Sequence, residues 1–403
     1  MGGFLTVGHP AAVAAVHAML SSHVPHAVLL AGPASVGKHA LALDLAAGLL
    51  CAGAAGGDRP CRACRACRMV EHGNHPDLHI LEPDGPGGQV GIGGKDRRGV
   101  RDLVTDLSLL PLEGVARVAI VREAHRMNDD AQSALLKTLE EPPSGTTLIL
   151  VADDEERLLP TVRSRCARLR LGILASRDIE TLLGARGLAD PPTAARLARL
   201  AGGRSGLAVA YASAAGAETV RNEIGRILLD LLEAGRAERL VAAKELLGRA
   251  ATLAGTLAPA PAPIETKGRA RARKAEVPLP GPADAQPAAD ADAMTDPAPT
   301  DAPTGKASAS ERRRALALLL DAWRDVARDL ALAQTGSARS VRDVALLEEL
   351  EAAARGLPDG AAADALARVV RAGELLESNV SPELVLDVLL VRWPRRITAA
   401  AGA

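Results

Sequence analysis

The sequence predicts a parallel α/β phosphate-loop domain that carries a zinc module and is followed by all-helical domains. Three observations predict it: an apolar strand runs into a Gly-rich turn and a helix, further apolar runs alternate with helical patterns, and the pattern becomes helical from about Ser176. Alternation of strands and helices favours a parallel sheet covered by helices. With 403 residues, 48% of them apolar, the chain can bury more than one core.

The predicted strands are short apolar runs in the N-terminal part of the chain. They cover residues 27–31, 78–81, 117–121 and 147–151. The first run leads through the Gly-rich turn into an Ala- and Leu-rich helix that extends to about Leu50, and helical patterns at 98–110 and 128–140 separate the later runs. We therefore expect an α/β domain over residues 1–175.

Beyond that domain, apolar residues recur at spacings of three and four, which is typical of amphipathic helices. We expect one helical domain over residues 176–214 and a second over residues 215–256 and 311–396. The intervening residues 257–310 are rich in Pro, Ala, Asp and Thr, so burial cannot offset the entropy of ordering them. They are predicted to be a disordered insert, whose basic front at 267–274 is either a phosphate contact or a solvated charge run.

Composition argues against several function classes. The aromatic residues are few, which leaves little for an aromatic-rich β-sandwich or for base-stacking platforms: Phe4, Tyr211, Trp323 and Trp393. The formal net charge of -1 is not the basic surplus of a protein that holds DNA unaided. No apolar run reaches the ~18 residues needed to span a bilayer, and the N-terminus lacks the pattern of a secretory leader. A cytoplasmic protein is expected, with any DNA contact local or shared.

Four cysteines lie in one short stretch with the spacing C-x9-C-x2-C-x2-C: Cys51, Cys61, Cys64 and Cys67. Thiolates at this spacing can surround one ion, and four of them make a closed tetrahedral zinc site, which is structural rather than catalytic. Disulfides would need an oxidising compartment, for which there is no export signal. We predict a structural zinc ion in a module over residues 51–67. The intervening Arg62, Arg65 and Arg68 fit either a nucleic-acid contact or solvated charges around the thiolates.

The Gly-rich turn, residues 32–39 (GPASVGKH), matches the phosphate-loop pattern G-x-x-x-x-G-K-[ST] except at its last position. Backbone N–H groups of such a loop cradle phosphate oxygens, so Gly32, Gly37 and Lys38 are the candidate nucleotide-binding residues, with Lys38 reaching the terminal phosphates. His39 stands where a hydroxyl normally ligates magnesium, and imidazole is a poor ligand for that hard cation.

The acidic motif after the third strand is degenerate as well. Residues 118–123 read VAIVRE, so Arg122 stands where a magnesium-binding aspartate is expected. The sequence therefore predicts that the chain does not hydrolyse ATP by itself. Two interpretations of the loop stay open: it retains some nucleotide binding, or it is a retained turn that binds no nucleotide.

Residues 127–143, MNDDAQSALLKTLEEPP, resemble the A-x-x-A-L-L-K-x-L-E-E-P-P signature of the clamp-loader ATPase subunits of bacterial DNA polymerase III, which are AAA+ proteins. Supporting matches are the cysteine cluster and the short runs VPHA at 24–27, NHPD at 74–77 and SRC at 164–166. The resemblance covers nearly the whole chain apart from the insert. It implies an AAA+ domain, then a helical lid and a helical collar that forms a ring, with residues 375–384 (LLESNVSPEL) similar to the collar.

The resemblance also implies a role for Arg165. In this family the Ser-Arg-Cys motif places its arginine at the subunit boundary, where it reaches the γ-phosphate of ATP bound by the neighbour. An always-charged planar guanidinium suits charge that develops on a transferring phosphoryl group. The implied partners are gamma/tau and delta subunits in a heteropentamer of the polymerase holoenzyme, which loads a sliding clamp onto primer-template DNA. The degenerate magnesium site favours a ring member that has lost hydrolysis.

Two alternatives remain. An active gamma/tau-type subunit predicts that the isolated chain hydrolyses ATP, whereas a zinc-dependent nucleic-acid-binding module predicts tight, salt-sensitive DNA binding by the monomer. The near-neutral charge disfavours the second. Arg204, in the run GGRSG at 202–206, does not fall cleanly at the family's second sensing arginine, so it is assigned no role. Cys166 is interpreted as a small buried apolar residue.

Overall fold

A computed structural model describes residues 3–54, 58–83, 88–94, 97–114, 116–257, 309–377 and 380–396. The predicted insert at 257–310, including its basic front, lies outside the described residues except at its two ends. No helix in the described ranges has the length and apolar character needed to cross a membrane.

One five-stranded parallel sheet lies in the N-terminal part of the chain. Its strands are β1 (Ala27–Ala31), β2 (Leu78–Leu81), β3 (Arg117–Val121), β4 (Thr146–Ala152) and β5 (Ala167–Arg170). Their order across the sheet is β2-β3-β4-β1-β5, and every neighbouring pair is parallel. The strand that leads into the phosphate loop, β1, is therefore flanked by β4 and β5, whose carboxyl ends reach the same edge of the sheet. The prediction of a parallel α/β domain is confirmed.

Helices cover both faces of the sheet and then form most of the described residues that follow it. Those of the sheet region are α1 (Pro10–Ser21), α2 (Lys38–Leu50), α3 (Arg65–Glu71), α4 (Val100–Ser108), α5 (Asp129–Glu140) and α6 (Pro160–Arg163). Those that follow are α7 (Ser176–Ala185), α8 (Pro191–Ala201), α9 (Ser205–Ser213), α10 (Ala217–Asp230), α11 (Arg236–Thr256), α12 (Ala309–Gln334), α13 (Leu347–Arg355), α14 (Ala361–Glu377) and α15 (Pro382–Val391).

The sheet buries apolar side chains on both faces, as the period of two along each strand requires. In β1, Leu29 belongs to the core that packs against α4 and α5, whereas Val28 and Leu30 belong to the core that packs against α1 and α2. Because β1 is covered on both faces, it reads in sequence as a continuous apolar run. This is why the first four strands could be predicted from the sequence.

The edge strand β5 was not predicted. Its sequence, ARLR, alternates half-buried and exposed positions, with Arg168 and Arg170 exposed. An edge strand pairs on one side only, so it needs no continuous apolar run. β5 is positioned by its parallel pairing with β1, in which Leu29 is opposite Arg168.

The helices from α7 onward share one hydrophobic core. It extends in sequence from Ile179 to Trp393. In its centre Trp323 and Trp393 meet edge to face with ring centroids 5.3 Å apart, and the Trp393 indole N–H donates to the carbonyl of Leu228 at 2.8 Å. The predicted start of the helical part at residue 176 coincides with the first residue of α7. The division into a lid to residue 214 and a collar from residue 215 stays a prediction.

Asp77, in the NHPD run before β2, orders the loop that precedes β3. Its fully buried carboxylate accepts hydrogen bonds from the backbone N–H groups of Leu112, Glu113 and Gly114 at 2.6–3.1 Å. Although burial opposes the charge, these hydrogen bonds hold the pKa of Asp77 below its ordinary value. The motif that supported the family resemblance is thus a structural anchor.

Candidate functional site

The phosphate loop lies where the sequence predicted it, between β1 and α2. Lys38 is the first residue of α2, and Gly37 is its N-cap with a φ of 105°. Gly32 has a φ of 142°, and a Cβ there would lie 1.9 Å from the carbonyl oxygen of Leu171. Only glycine fits such a position. The predicted residues Gly32, Gly37 and Lys38 therefore keep the backbone shape of a phosphate loop.

The charge of Lys38 is neutralised within the chain. Its side chain is 4% exposed, and Nζ forms an ion pair with Oδ1 of Asp153 at 2.8 Å. Nζ also donates to the carbonyl oxygens of Gly32 and Pro33 in the loop. An incoming phosphate would have to displace a carboxylate from the lysine that should bind it. Sequence reasoning missed Asp153, although its position directly after β4, the neighbour of β1, is a signal that strand order would have supplied.

The two predicted defects in the magnesium site lie close together. The imidazole of His39 is largely buried, and burial together with the nearby Arg122 guanidinium lowers the pKa of His39 to about 4, while Glu82 acts in the opposite direction. Arg122 in turn pairs with Glu82. A neutral imidazole and a guanidinium thus stand where a hydroxyl and a carboxylate would ligate magnesium.

The low pKa of His39 makes stability depend on pH. An unfolded histidine has a pKa of 6.5 and the folded one about 4, so the folded state resists protonation. The contribution of His39 to the free energy of unfolding is fully present above pH 6.5. It falls as the pH drops toward 4, by roughly 3 kcal/mol in all.

We expect His39→Thr to flatten this loss of stability, as measured by denaturant unfolding at pH 7.5 and at pH 4.5. The exposed His23, changed to threonine, should leave the acid sensitivity intact; equal slopes for His39→Thr and the unaltered chain would contradict the assignment.

The N-terminus of α9 packs directly on the phosphate loop. The Gly206 N–H donates to the Ser35 carbonyl at 2.8 Å, and the Ser205 hydroxyl donates to the Val36 carbonyl at 3.0 Å. A Cβ at Gly206 would lie 2.8 Å from the Ser35 carbonyl oxygen, so this close approach requires glycine. The helical part of the chain is therefore docked on the loop through close hydrogen bonds to two loop carbonyls.

Arg204, for which no role was assigned, faces the helical core. Its guanidinium is 3.1 Å from a carboxylate oxygen of Asp321 and 3.9 Å from one of Asp325, both on α12. Asp325 also pairs with the buried Arg221 at 2.9 Å. Arg204 thus belongs to an ionic cluster that joins α9 to α12. This is a structural role, because a buried charge needs partners to offset its desolvation.

Arg165 lies in the short segment between α6 and β5, and its side chain is 35% exposed. Its guanidinium forms an ion pair with Glu140 at 2.7 Å and donates to the Thr161 carbonyl at 2.8 Å. Cys166, the next residue, is buried, and burial raises the pKa of its thiol to about 11. The Arg165 side chain is thus partly exposed to solvent, next to a buried residue. Cys166 is the small buried residue that the sequence predicted.

The four predicted cysteines meet in one cluster. Cys51 is the C-cap of α2, Cys64 is the N-cap of α3, and Cys67 lies in the first turn of α3. The Sγ atoms of Cys51, Cys61, Cys64 and Cys67 all lie within 4.8 Å of one another, and all four cysteines are free of disulfides. Four sulfurs at this separation fit the closed tetrahedral coordination of zinc. The cluster can hold a metal ion, which is consistent with structural zinc.

Backbone donors around the cluster favour thiolates. The N–H of Cys64 donates to the sulfur of Cys61, and the N–H of Cys67 to that of Cys64, each at 3.4 Å. The first contact is the main cause of the lowered pKa of Cys61. Cys64 is subject to burial, which opposes ionisation, yet the Cys67 N–H and further hydrogen bonds lower its pKa to about 6. Burial raises the pKa of Cys67. Two of the sulfurs are thus poised as ligands.

Arg62, in the cysteine stretch, joins the module to the rest of the fold. Its guanidinium pairs with the fully buried Asp44 of α2 and with Glu71 of α3. Asp44 also accepts the backbone N–H groups of Leu5 and Thr6 at 2.9 and 2.8 Å. The interpretation of Arg62 as a solvated charge is therefore wrong, since its side chain is 13% exposed and paired within the chain; a nucleic-acid contact by these arginines stays a prediction. The exposed Arg65 pairs with Glu113.

Comparison with known proteins identifies the relatives of the sheet region. Residues 8–174 match the family described as DNA polymerase III, delta subunit. DNA polymerase III subunit delta' of Pseudomonas aeruginosa is 40% identical over 186 residues, which are 44% of this chain and 53% of the relative. DNA polymerase III subunit gamma of Buchnera aphidicola is 31% identical over 174 residues, 43% of this chain and 46% of the relative. The chain thus spans about half the length of the curated relatives that it matches.

Among solved structures, a DNA polymerase III gamma-subunit-related protein of Thermotoga maritima aligns with 94% of this chain and 97% of its own, at 17% identity and a TM-score of 0.38. The matched sequence region, residues 8–174, contains both the phosphate loop and Arg165. It also contains the four clustered cysteines.

Proposed function

We propose, from the match of residues 8–174 and from the delta' and gamma relatives, that this chain is a bacterial DNA polymerase III clamp-loader subunit and acts as delta-prime. In this role it is a ring member that does not hydrolyse ATP itself but supplies an arginine finger to a neighbouring gamma/tau subunit. As a replication protein it would act in the bacterial cytoplasm.

One contrast carries the proposal: the chain's own nucleotide site is disabled while its finger arginine is accessible. Lys38 is paired with Asp153, and a neutral His39 and Arg122 occupy the magnesium positions. Arg165 is also paired with a carboxylate, that of Glu140, but it keeps the Ser-Arg-Cys context and is 35% exposed, whereas Lys38 is 4% exposed. A subunit that cannot use its own ATP but still presents this arginine is suited to acting on the ATP of a neighbour.

Mechanistically, Arg165 would stabilise charge that develops on the γ-phosphate during hydrolysis in the neighbouring subunit. Its guanidinium carries a permanent charge and several donors in one plane, so it can contact more than one phosphate oxygen. Because the neighbour's site is complete only when this chain is docked against it, hydrolysis would depend on correct assembly of the ring. This chain would form one rigid side of the neighbour's nucleotide site.

Exposed apolar side chains offer surfaces for assembly. On α15 the residues Leu384, Val388 and Val391 follow a helical spacing of four and three and are 58%, 47% and 38% exposed. Such a stripe on one helix face is typical of a surface that packs against another chain. We assign it to the collar contacts with gamma/tau and delta subunits in a heteropentamer. The sliding clamp and primer-template DNA would be reached through that complex.

We further propose that the cysteine cluster is a structural zinc site. The ion would be held by four thiolates, which leaves no open position for substrate. Through Arg62, the module anchors the N-terminal segment and α2. A zinc ion held by these cysteines would therefore help to hold the α/β domain together.

The proposal predicts how the isolated chain behaves. Purified alone, it should show no ATP turnover above a blank, yet it should co-elute with gamma/tau and delta subunits in size-exclusion chromatography. Turnover by the isolated chain that is lost on changing Lys38 would instead establish a gamma/tau-type ATPase. Tight binding of DNA by the monomer that weakens steeply with salt would establish the nucleic-acid-binding alternative.

A further inference from the structure

Arg165 is held on one side by a carboxylate from a different helix. Glu140 is the last residue of α5, and its Oε1 lies 2.7 Å from the NH2 of Arg165. The two residues belong to different motifs, the LLKTLEEPP run and the Ser-Arg-Cys run. Nothing in either motif alone indicates that their side chains meet.

A second contact fixes the plane of the guanidinium. The NH1 group of Arg165 donates to the carbonyl oxygen of Thr161, in α6, at 2.8 Å. A guanidinium has five N–H donors in a fixed planar arrangement. With one donor on Glu140 and one on Thr161, the group is oriented at two points while other donors and one-third of the side chain stay accessible.

Both anchors are themselves held rigidly. The end of α5 is fixed by its buried Leu139 and by His26, whose Nε2 is 3.0 Å from the Leu139 carbonyl oxygen. The start of α6 is tied to α5 by the buried amide of Gln132, which accepts the Leu159 N–H at 2.6 Å. Glu140 and Thr161 are therefore two points on one stiff support.

We propose that Glu140 is a positioning residue that orients Arg165 toward the nucleotide of the neighbouring subunit, an inference that rests on the proposed function. A free arginine samples many rotamers, and that freedom would have to be lost each time the neighbour's ATP reacts. An arginine that is already oriented loses less rotamer freedom at that step. A charge that is already in position also stabilises a transition state most effectively. Because the pair is half-exposed, it contributes little to folding, so Glu140 can be removed without unfolding the chain.

The test compares chain variants in the complete complex with gamma/tau, delta, clamp and primed DNA, by measuring ATP turnover against ATP concentration. Glu140→Ala should lower the maximal turnover at the Arg165-dependent site by roughly tenfold, with the KM for ATP unchanged. Glu140→Gln, which keeps an acceptor oxygen, should lower the maximal turnover less than Glu140→Ala does. The matched control is Glu141→Ala, since Glu141 is exposed and not ion-paired with any described residue; it should behave as the unaltered chain does.

A double variant separates positioning from a general structural effect. Arg165→Ala combined with Glu140→Ala should be no slower than Arg165→Ala alone, because Glu140 acts only through Arg165. If Arg165→Ala abolishes turnover while Glu140→Ala leaves it unchanged or raises it, the positioning role is wrong and the proposed function stands. If Arg165→Ala itself has no effect, both are wrong.

Discussion

Replacing Arg165 with alanine is expected to lower ATP hydrolysis at the neighbouring subunit's site by roughly 10³-fold, the scale on which arginine fingers act. The guanidinium supplies positive charge where negative charge accumulates, and its partners among the described residues carry none: they are the Glu140 carboxylate, the Thr161 carbonyl and the Ser164 hydroxyl. Arg165→Lys should rescue little, because an ammonium cannot reproduce the planar donor arrangement. The measurement is clamp- and DNA-stimulated turnover of the assembled complex.

The control for this loss is a nearby arginine outside the motif. Arg168, exposed on β5, can be changed to alanine and should leave turnover unchanged. The Arg165→Ala chain should unfold at the same denaturant concentration as the unaltered chain and should still assemble, since the side chain is partly exposed and its ion pair contributes little to stability. Full turnover with Arg165→Ala in an intact ring would refute the finger role.

Removing zinc is expected to have the largest effect on stability. The four cysteine sulfurs lie within 4.8 Å of one another and form no disulfide, so without an ion no bond would hold them together. Loss of a structural zinc typically removes much of a module's folding free energy, so we expect at least about 3 kcal/mol of destabilisation. The effect should spread to α2 and the N-terminal segment, which Arg62 and Asp44 tie to the module.

Metal content and thermal unfolding test this directly. The purified chain should contain zinc, and a strong chelator should lower its melting temperature, with recovery when zinc is added back. Cys64→Ser should reduce both zinc content and stability, whereas Cys166→Ala, which lies outside the cluster, should keep the zinc. A metal-free chain whose melting temperature does not respond to chelator would contradict a zinc site.

Much of the sheet and the local motifs could be predicted from the sequence, because they depend on neighbours along the chain. A strand buried on both faces, such as β1, is a continuous apolar run, and the phosphate loop and the cysteine cluster have diagnostic spacings. The edge strand β5 escaped prediction because one face is only half-buried and the other carries the exposed Arg168 and Arg170. Its identity as a strand depends on its pairing with β1.

The contacts that set the chemistry could not be predicted, because they join residues far apart in sequence. Lys38 meets Asp153 only because β1 and β4 are neighbours in the sheet. Arg62 meets Asp44 only because the cysteine module folds back on α2. The sequence shows the residue types of a degenerate site, but the pairing that neutralises Lys38 follows from strand order.

The ion pairs of Arg204 and the division of the helical part could not be predicted from the sequence either. The sequence places Arg204 in a glycine-rich turn, and only the fold shows that it pairs with Asp321 and Asp325 on α12. Side chains on both sides of residue 214 enter one core, so the amphipathic spacing that predicted the helices carries no sign of how they divide. Periodicity reports which face of a helix is buried but not which helix buries it.

We propose that this chain contributes Arg165 to the ATP of its neighbour while its own phosphate loop stays unused. The most direct measurement is a cryo-EM structure of the assembled complex with a γ-phosphate analogue bound. We predict the Arg165 guanidinium within about 3 Å of the analogue on the adjacent subunit, hydrogen-bonding distance for a charged pair, with Lys38 still paired to Asp153. Nucleotide bound at Lys38 of this chain, with Arg165 remote from any phosphate, would contradict the account.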